Sequence, residues 1–536
     1  MSDNLDTKNQ TVDGNARKLL FWRILSAVLL LAVLALGTLL YLSEKGSPAA
    51  PPSSPAETVS GEDAPSLSTE GYRLYCYPHE GDPIVVTVPK GESAALPAGP
   101  ELAGYTFLGW ADADGQIVTA EEVTPTGDLA YAAVYAIAFR DQGAESTHVP
   151  YLSIDGDQYF HPDETVTRGE AISLLYAFLD TNVVGSGSFA DVPSDAGCYT
   201  AAATLKDLGV IGGSRFHPDE PISLGELFEI LSHFFPRSNA SYTFDSIPES
   251  AENYAAFCLA MDRGWIDETT LSPDQDLTRA EAAHIFNLLS GRGPVAEPDM
   301  AKVGTILDVS QRNKYFWDIA EAAIPHEASR AAEGETWVSS TPLARYEEGL
   351  FFIGTALHCV DAEGSALINE SYGNFDFGPD GVITTGMPEL DAYVQATFTE
   401  LGLDPDSLDT EATLRTVFNY VTYHNSYLRL HYYEVGDISW VNDEAYHMFT
   451  EHKGNCYNYA AEFYVLAKAL GYDAVIYSGT IDPEPTPHAW VEIEFDGVPY
   501  IFDTELEFTQ VTIAHHGSSY FKAPYAKVET WYYFRG

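Results

Sequence analysis

Apolar and polar positions follow different periodicities along this chain of 536 residues. No residue from Ile24 to Leu42 is charged, and this run is long enough to cross the core of a bilayer. Basic residues precede the run, so the positive-inside rule predicts an uncleaved anchor with a cytoplasmic N-terminus. A cleaved signal peptide is the alternative because small residues stand at 47–50, but its apolar region would be unusually long.

Short alternating runs between Tyr72 and Phe139 end in Gly or Pro and predict a small β domain. The segment GYTFLGWADADGQIV, followed by PTGDLAYAAVY, resembles the internalin-type B-repeat, also called the Listeria–Bacteroides repeat. This resemblance implies a β-grasp-like domain of a secreted bacterial surface protein. Trp110 and Tyr105 are expected in its core rather than on a binding surface.

A sequence repeat follows. FHPDETVTRGE starts at Phe160, FHPDEPISLGE at Phe216 and LSPDQDLTRAE at Leu271. The pattern predicts a helix, a loop and a second helix in each unit, except that the first unit lacks its first helix. A comparable segment stands only after the third unit, at 306–323, so we expect it to pack beside the first unit.

The hydroxyl and carboxylate positions of the motif predict a capping box at the start of each second helix: Thr167 with Glu170, Ser223 with Glu226, and Thr278 with Glu281. Helix capping does not explain Arg168 and Arg279, because a cation in a first turn opposes the helix dipole.

The units resemble S-layer homology (SLH) domains. That resemblance implies an α-helical array that binds secondary cell-wall polysaccharide, often pyruvylated, with Arg168 and Arg279 as the binding residues. Leu224 replaces the arginine in the second unit, which puts that groove in doubt. The alternative for both arginines is a solvated surface position.

The C-terminal third contains the candidate chemistry. Cys456 stands just before a helical pattern that stops at Gly471, so the helix dipole favours a thiolate. Two strands flank Asp496-Gly497, a strong hairpin signal. With a loop of two or four residues Asp503 faces Trp490, and His488 is then its diagonal neighbour. A loop of three or five residues would put Asp503 on the other face.

GNC before a helix, HAWVEI and YIFD in this order resemble the transglutaminase-like superfamily, over roughly 388–536. The resemblance implies a papain-like α+β domain with Cys456 as nucleophile, His488 as general base and acid, and Asp503 as orienting carboxylate. The oxyanion donor is either the backbone N–H of Cys456 or the indole of Trp440, for which a core position is also expected.

Composition narrows the functional classes. The net charge is −52, from 79 acidic and 27 basic residues, which argues against a nucleic-acid partner. The five cysteines are scattered, without a C-x-x-C pair, so neither a disulfide framework nor a metal site is predicted. No metal or organic cofactor is implied.

The sequence therefore predicts a multidomain protein. Its segments are a cytoplasmic tail (1–17), a transmembrane signal anchor (18–43), a Pro/Ser-rich linker (44–70), the B-repeat (71–139), SLH repeats (144–327), a β-hairpin connector (330–386) and the transglutaminase-like domain (388–536).

Two functions fit this organisation. The first is a membrane-anchored, extracellular wall protein whose thiol domain, a cysteine peptidase, amidase or transglutaminase-like enzyme, acts on envelope peptides or proteins. The alternative is a non-catalytic adaptor between membrane and wall with a degenerate transglutaminase-like binding domain.

Overall fold

The computed structural model describes most of the chain after the linker. The described residues are 71–528, with gaps at 79–80, 103–104, 114–116, 119, 138, 141–145, 181–183, 237, 239, 294–296, 298, 332–333, 482–485 and 516–518. Within these ranges, no helix has both the length and the apolar composition that a bilayer crossing needs. The predicted anchor (18–43) and linker (44–70) lie outside the described residues and stay predictions.

The first described segment is a small four-stranded sheet. Its strands are β1 (Gly71–Tyr77), β2 (Ile84–Pro89), β3 (Tyr105–Ala111) and β4 (Leu129–Ile137). They lie in the order β2-β1-β4-β3, with β1 parallel to β4. Trp110 is buried, as expected, and its indole N–H donates to the carbonyl of Pro97 at 2.6 Å. Tyr105 is 40% exposed, so its predicted core position was wrong. The assignment to the B-repeat family stays a prediction.

The repeats form a helical array. Its helices are α1 (Arg168–Phe178), α2 (Tyr199–Asp207), α3 (Leu224–Ser232), α4 (Tyr254–Asp262), α5 (Arg279–Ser290), α6 (Met300–Val303) and α7 (Phe316–Ala323). The loop before each second helix hydrogen-bonds to the loop of another unit. The N–H of Val166 donates to the carbonyl of Leu277 (2.8 Å), and the N–H of Leu277 donates to the carbonyl of Ile222 (2.9 Å). The N–H of Ile222 donates to the carbonyl of Val166 (3.0 Å). The three units therefore close into a ring.

The segment containing α7 completes the first unit, as predicted. Asp308 accepts the backbone N–H groups of Phe160 (2.9 Å) and His161 (2.6 Å). Asp191 does the same for Phe216 (2.8 Å) and His217 in the second unit. The missing first helix of unit one is thus supplied from the far end of the array.

Short β elements join the array to the C-terminal region: β5 (Thr147–His148), β6 (His326–Ala331), β7 (Gly334–Ser340), β8 (Gly349–Ile353), β9 (Ala356–Val360), β10 (Ser371–Tyr372) and β11 (Phe375–Asp376). β5, β6 and β7 form one sheet, in which β6 and β7 are a hairpin. The predicted boundary between array and connector, at 327–330, therefore falls inside a hairpin that belongs with the array.

The C-terminal region is α+β. Its elements are α8 (Pro388–Glu400), a 3₁₀ turn (Pro405–Ser407), α9 (Glu411–His424), β12 (Ser426–Tyr427), α10 (Val441–Glu451), β13 (Lys453–Gly454), α11 (Cys456–Ala469), β14 (Ala474–Ile481), β15 (Thr486–Phe495), β16 (Val498–Phe502), α12 (Thr504–Leu506), a π-helical turn (Glu507–Ile513), β17 (Ala523–Pro524) and α13 (Tyr525–Val528). The sheet order is β14-β15-β16-β17. One face of this sheet packs on α11, and their shared core fixes the helix start relative to β15.

Candidate active site

Cys456 is the first residue of α11, at the helix N-terminus that the sequence predicts. Asn455 caps the helix: its Oδ1 accepts the N–H of Tyr457 at 3.1 Å, while Asn458 Oδ1 accepts the N–H of Asn455 at 3.0 Å. The N–H of Cys456 lies in the first turn, where no intrahelical carbonyl is available. Both the dipole and this donor therefore point at the space beside the thiol.

The residues before the thiol explain the local sequence Gly-Asn-Cys. A Cβ on Gly454 would lie 2.3 Å from Cβ of Asn458, so a larger residue would displace the cap. The side-chain amide of Asn455 donates to the carbonyl of His431 at 2.8 Å. The cap thus also holds the neighbouring segment against the start of α11.

The hairpin has the two-residue loop that the prediction required. Phe495 pairs with Val498 around Asp496 (φ 52°) and Gly497 (φ 77°), both in the left-handed region. The register continues to Val491 opposite Phe502, which puts the next position, Asp503, opposite Trp490. β16 ends one residue earlier than expected, and Asp503 is instead the N-cap of α12.

Cys456, His488 and Asp503 come together in one buried cluster. His488 Nε2 lies 2.6 Å from Asp503 Oδ2, and the other oxygen of Asp503 accepts the N–H of Leu506 at 2.9 Å. The Cys456 thiol is close enough to His488 to interact with the imidazole and to contribute to its raised pKa. Since Asp503 is held by a helix cap, it fixes the orientation of the imidazole toward the thiol.

The electrostatics of the cluster favour a protonated His488. Burial opposes the charged imidazolium, but the negative charge of Asp503 and the interaction with Cys456 outweigh it and raise the pKa of His488 well above its ordinary value. An imidazolium beside a thiol stabilises the thiolate. The arrangement can therefore hold a thiolate–imidazolium pair, with Asp503 as counter-charge.

Glu505 is a neighbour that sequence reasoning missed. Its carboxylate and the ligand atoms of His488 and Asp503 lie within 4.8 Å of one another. Burial raises the pKa of Glu505 to about 7, partly offset by His488. Such a group could hold a metal, but His488 and Asp503 bond to each other at 2.6 Å and serve the thiol as base and orienting carboxylate. The E of the segment FDTE two residues after Asp503 was the available signal.

The indole of Trp440 is already engaged and is therefore a poor candidate for an oxyanion donor. Its indole N–H donates to the carbonyl of Asp437, and the side chain is buried. The backbone N–H of Cys456 is therefore the better candidate for that role.

Arg168 and Arg279 both have intramolecular partners. Arg168 Nε donates to the carbonyl of Phe216 at 2.7 Å, and its guanidinium pairs with Glu226. Arg279 Nε donates to the carbonyl of Phe160 at 3.0 Å. Both side chains are half-buried, so neither extends freely into solvent as the sequence had suggested. A role in polymer binding stays a prediction.

The second unit departs from the other two. Full capping boxes form at Thr167 and Thr278. Ser223 accepts the N–H of Glu226, but that carboxylate pairs with Arg168 instead of closing the box. Leu224 is 1% exposed and belongs to the core, so it is no surface substitute for an arginine.

A groove of 620 Å³ lies beside Leu224. Its charged lining residues are Asp163, Asp267, Glu268, Glu281 and Lys314, so acidic side chains predominate among them. Such a lining disfavours an anionic polymer.

Comparisons with known proteins agree with parts of this description. Residues 404–502 match the family model of the transglutaminase-like superfamily. Over 237 residues, 41% of this chain, the sequence is 23% identical to the Surface-layer 125 kDa protein of Lysinibacillus sphaericus, of which the match covers 20%. Over 205 residues it is 24% identical to the Cellulosome-anchoring protein of Acetivibrio thermocellus, of which it covers 44%. The chain therefore spans less than half of either relative.

A solved structure of a candidate cysteine protease from Cytophaga hutchinsonii aligns with 22% of this chain and 37% of its own, at 20% identity and a TM-score of 0.18. The family match includes Cys456 and His488 and ends one residue before Asp503. The C-terminal region of this protein thus contains a transglutaminase-like domain.

Proposed function

We propose that this is a cell-surface protein whose C-terminal domain performs thiol acyl transfer with Cys456, His488 and Asp503. One observation carries the proposal: His488 bonds through Nε2 to Asp503 at 2.6 Å and interacts with the Cys456 thiol in the same buried cluster. A nucleophile, its base and an orienting carboxylate in this order are the parts that acyl transfer from an amide needs.

The chemistry follows from the placement of the three residues. The thiolate of Cys456 attacks an amide carbonyl, forming a C–S bond, and the N–H of Cys456 stabilises the oxyanion. His488 gives its proton to the leaving amine as the C–N bond breaks, leaving a thioester. Water or a second amine then attacks the thioester carbonyl while His488 takes its proton, and the C–S bond breaks with the Cys456 thiolate as leaving group. Water gives hydrolysis, and an amine gives a cross-link.

Exposed apolar side chains lie on the segment that contains Tyr427, whose hydroxyl interacts electrostatically with Cys456. They are Tyr427, which is 42% exposed, Leu428, Val435 and Ile438. Exposed apolar side chains can contribute to binding a peptide chain. We therefore propose an envelope peptide or protein as substrate, which is either hydrolysed or joined to a second amine.

The array is proposed to hold the protein at the cell wall. The names of the two curated relatives, a surface-layer protein and a cellulosome-anchoring protein, support a surface role. Secondary cell-wall polysaccharide is the proposed ligand, with Arg168 and Arg279 as contact residues. The run Ile24–Leu42 is proposed to anchor the chain in the membrane with its N-terminus in the cytoplasm.

A thiol-reactive amide probe tests whether the domain is an enzyme or a non-catalytic adaptor. Wild-type protein should be labelled at Cys456 and lose this labelling in Cys456→Ala. Cys359→Ala is the matched control, because that thiol is also free and buried. Equal labelling of wild type and Cys456→Ala, or none in either, would favour the non-catalytic adaptor with a degenerate domain.

A further inference from the structure

A second cluster of buried ionisable residues lies outside the candidate active site, where the array closes on itself. It joins His148 of β5, Glu321 of α7, His326 of β6 and Glu335 of β7. All four residues are at most 4% exposed, and one ligand atom from each lies within 4.8 Å of the others. We propose that these four side chains bind a divalent transition metal, with Zn²⁺ as the best-suited ion.

The distances suit a small tetrahedral ion. His148 Nδ1 lies 2.7 Å from Glu321 Oε1 and 3.3 Å from Glu335 Oε1. His326 Nε2 lies 3.2 Å from Glu321 Oε2 and 4.0 Å from Glu335 Oε1. The edges of a tetrahedron with zinc–ligand bonds of normal length are about 3.3–3.4 Å. In the metal-free protein the 2.7 Å contact is a hydrogen bond from His148 Nδ1 to Glu321, so a bound ion would displace this proton to solvent. Small movements of the side chains would then produce a coordination shell.

The hydrogen bonds of His326 leave a lone pair directed at the cluster. Nδ1 lies 2.8 Å from the carbonyl of Ile324, which can only accept, so Nδ1 carries the proton. In the neutral ring Nε2 is then an acceptor, and it faces carboxylate oxygens without a hydrogen-bond partner in the structure. A backbone carbonyl that orients a histidine in this way is a common feature of metal sites.

Glu335 gives independent support. Both of its oxygens are buried and lack a hydrogen-bond donor. A buried carboxylate without a hydrogen-bond donor is unfavourable, and a cation bound in the cluster would stabilise it. Glu321, in contrast, is held by Arg292 Nε at 3.0 Å and by the indole N–H of Trp337 at 2.8 Å.

The charge balance favours a divalent ion. With neutral histidines, the two carboxylates and Arg292 sum to a net charge of −1, which a divalent cation converts to +1. Imidazole and carboxylate together suit Zn²⁺ better than Mg²⁺ or Ca²⁺, which prefer oxygen ligands alone. Four protein ligands with no exposed position indicate a structural ion rather than a catalytic one.

The ion would fasten the two ends of the array. His148 precedes the first unit, whereas the other three ligands follow the third, so the ligands are far apart in the sequence. Local spacing along the chain therefore predicts no metal, because these ligands meet only when the ring closes.

The test uses the full chain carrying Cys456→Ser, so that the candidate active site cannot capture metal through its thiolate. Metal-free protein should take up one equivalent of Zn²⁺, and the unfolding temperature should rise. Glu335→Gln should weaken binding by at least roughly 100-fold, since loss of an outer-shell partner alone already costs 10–100-fold. Glu462→Gln, which changes a buried carboxyl of α11, is the matched control and should bind normally.

Two further readouts keep the result clear if a variant is less stable. Co²⁺ in place of Zn²⁺ should give the intense visible absorption of a tetrahedral site, and Glu335→Gln should abolish it. Metal-free Glu335→Gln should be at least as stable as the metal-free parent, because it removes a buried carboxylate that has no hydrogen-bond donor. Absence of zinc uptake in the parent, or equal uptake in Glu335→Gln, would overturn the proposal.

Discussion

The environment of each cysteine side chain decides how reactive it is. All five cysteines are free and buried. Burial raises the pKa of Cys76 and Cys198, and raises that of Cys359 to about 11. Cys456 differs because it combines a helix N-terminus with a histidine partner. Reactivity should therefore be concentrated at one thiol.

Alkylation with iodoacetamide tests this difference. In the native protein Cys456 should react faster than Cys359 near neutral pH, by at least about 10-fold, because a positive partner favours its thiolate. His488→Ala should slow the reaction of Cys456 in this pH range. Mass spectrometry of the labelled peptides gives both rates. If Cys456 labels no faster than Cys359, the three residues are not a catalytic unit.

Asp503→Asn tests whether the carboxylate of Asp503 is needed for catalysis and not only for folding. Asparagine can keep the bond to the N–H of Leu506 through its Oδ1 but cannot balance an imidazolium. We expect an unchanged unfolding temperature and a loss of probe acylation of roughly 10³–10⁴-fold. Asp404→Asn is the control, since Asp404 also caps a helical turn. A similar loss in the control would point to a general effect on the fold.

Glu505 should make the domain sensitive to pH. Its pKa is raised by burial to about 7 from the ordinary 4.5, so the folded state retains a proton that the unfolded state releases. Stability therefore falls as pH rises from about 4.5 to 7, by roughly 3 kcal/mol for the whole shift. Glu505→Gln should flatten this part of the curve in urea titrations. An unchanged slope would show that the carboxyl is not buried as described.

Helix starts in the array depend on contacts between units. Arg168 stands at the start of α1, yet its bonds reach Phe216 and Glu226 of the next unit. Leu224 occupies the corresponding position of α3 and packs into the core instead. The same position of the repeat therefore joins units in one case and fills the interior in the other.

Alanine substitutions should distinguish these two roles. Arg168→Ala removes a charge-assisted bond to a carbonyl and should cost about 1–3 kcal/mol. Leu224→Ala should cost about 2–5 kcal/mol, because it opens a cavity in the core. Denaturant unfolding measures both. Exposed Arg215→Ala is the control for loss of a cation. A negligible cost for Leu224→Ala would contradict its buried position.

Wall binding can be measured on the same variants below their unfolding temperature. If Arg168 and Arg279 also contact the polymer, the double alanine variant should no longer sediment with purified wall fragments while its helix content persists. Unaltered sedimentation would limit both arginines to their structural bonds.

Elements with local signals could be predicted from the sequence, and those without could not. The cap at Asn455 and the turn at Asp496-Gly497 are set by neighbouring residues, so the hairpin register and the start of α11 were correct. Three repeats indicated the array. The cluster of His148 with Glu335 and the hairpin across the predicted boundary depend on closure of the ring, which no local pattern encodes.

At the largest scale, the described residues between 71 and 528 belong to one compact unit. The connector bonds to both of its neighbours: Thr305 of the array donates to the carbonyl of Gly364 at 3.0 Å, and Asn374 donates to the carbonyl of Ala474 in β14 at 3.0 Å. It is therefore a docked layer rather than a free linker. The array and the transglutaminase-like domain are therefore held in a defined orientation relative to each other.

Protonation of His358 in acid should weaken the contact between the connector and the array. It is 1% exposed, and its Nε2 lies 2.8 Å from the hydroxyl of Tyr159 in the array. Burial lowers the pKa of His358 to about 4, against an ordinary 6.5. Between these two pKa values the unfolded state binds a proton at His358 that the folded state does not. The free energy of unfolding therefore falls as pH drops from about 6.5 to 4.

The shift in the pKa of His358 corresponds to roughly 3 kcal/mol, a large fraction of the stability of an ordinary domain. His358→Gln cannot titrate and keeps a polar group for Tyr159, so its unfolding temperature should change less between pH 7 and pH 4.5 than that of the wild type. His217→Gln, at an exposed position of the array, should retain the wild-type dependence. Because other groups titrate in all three proteins, only the difference between the curves reports on His358. Parallel curves for wild type and His358→Gln would mean that the connection between array and connector is insensitive to acid.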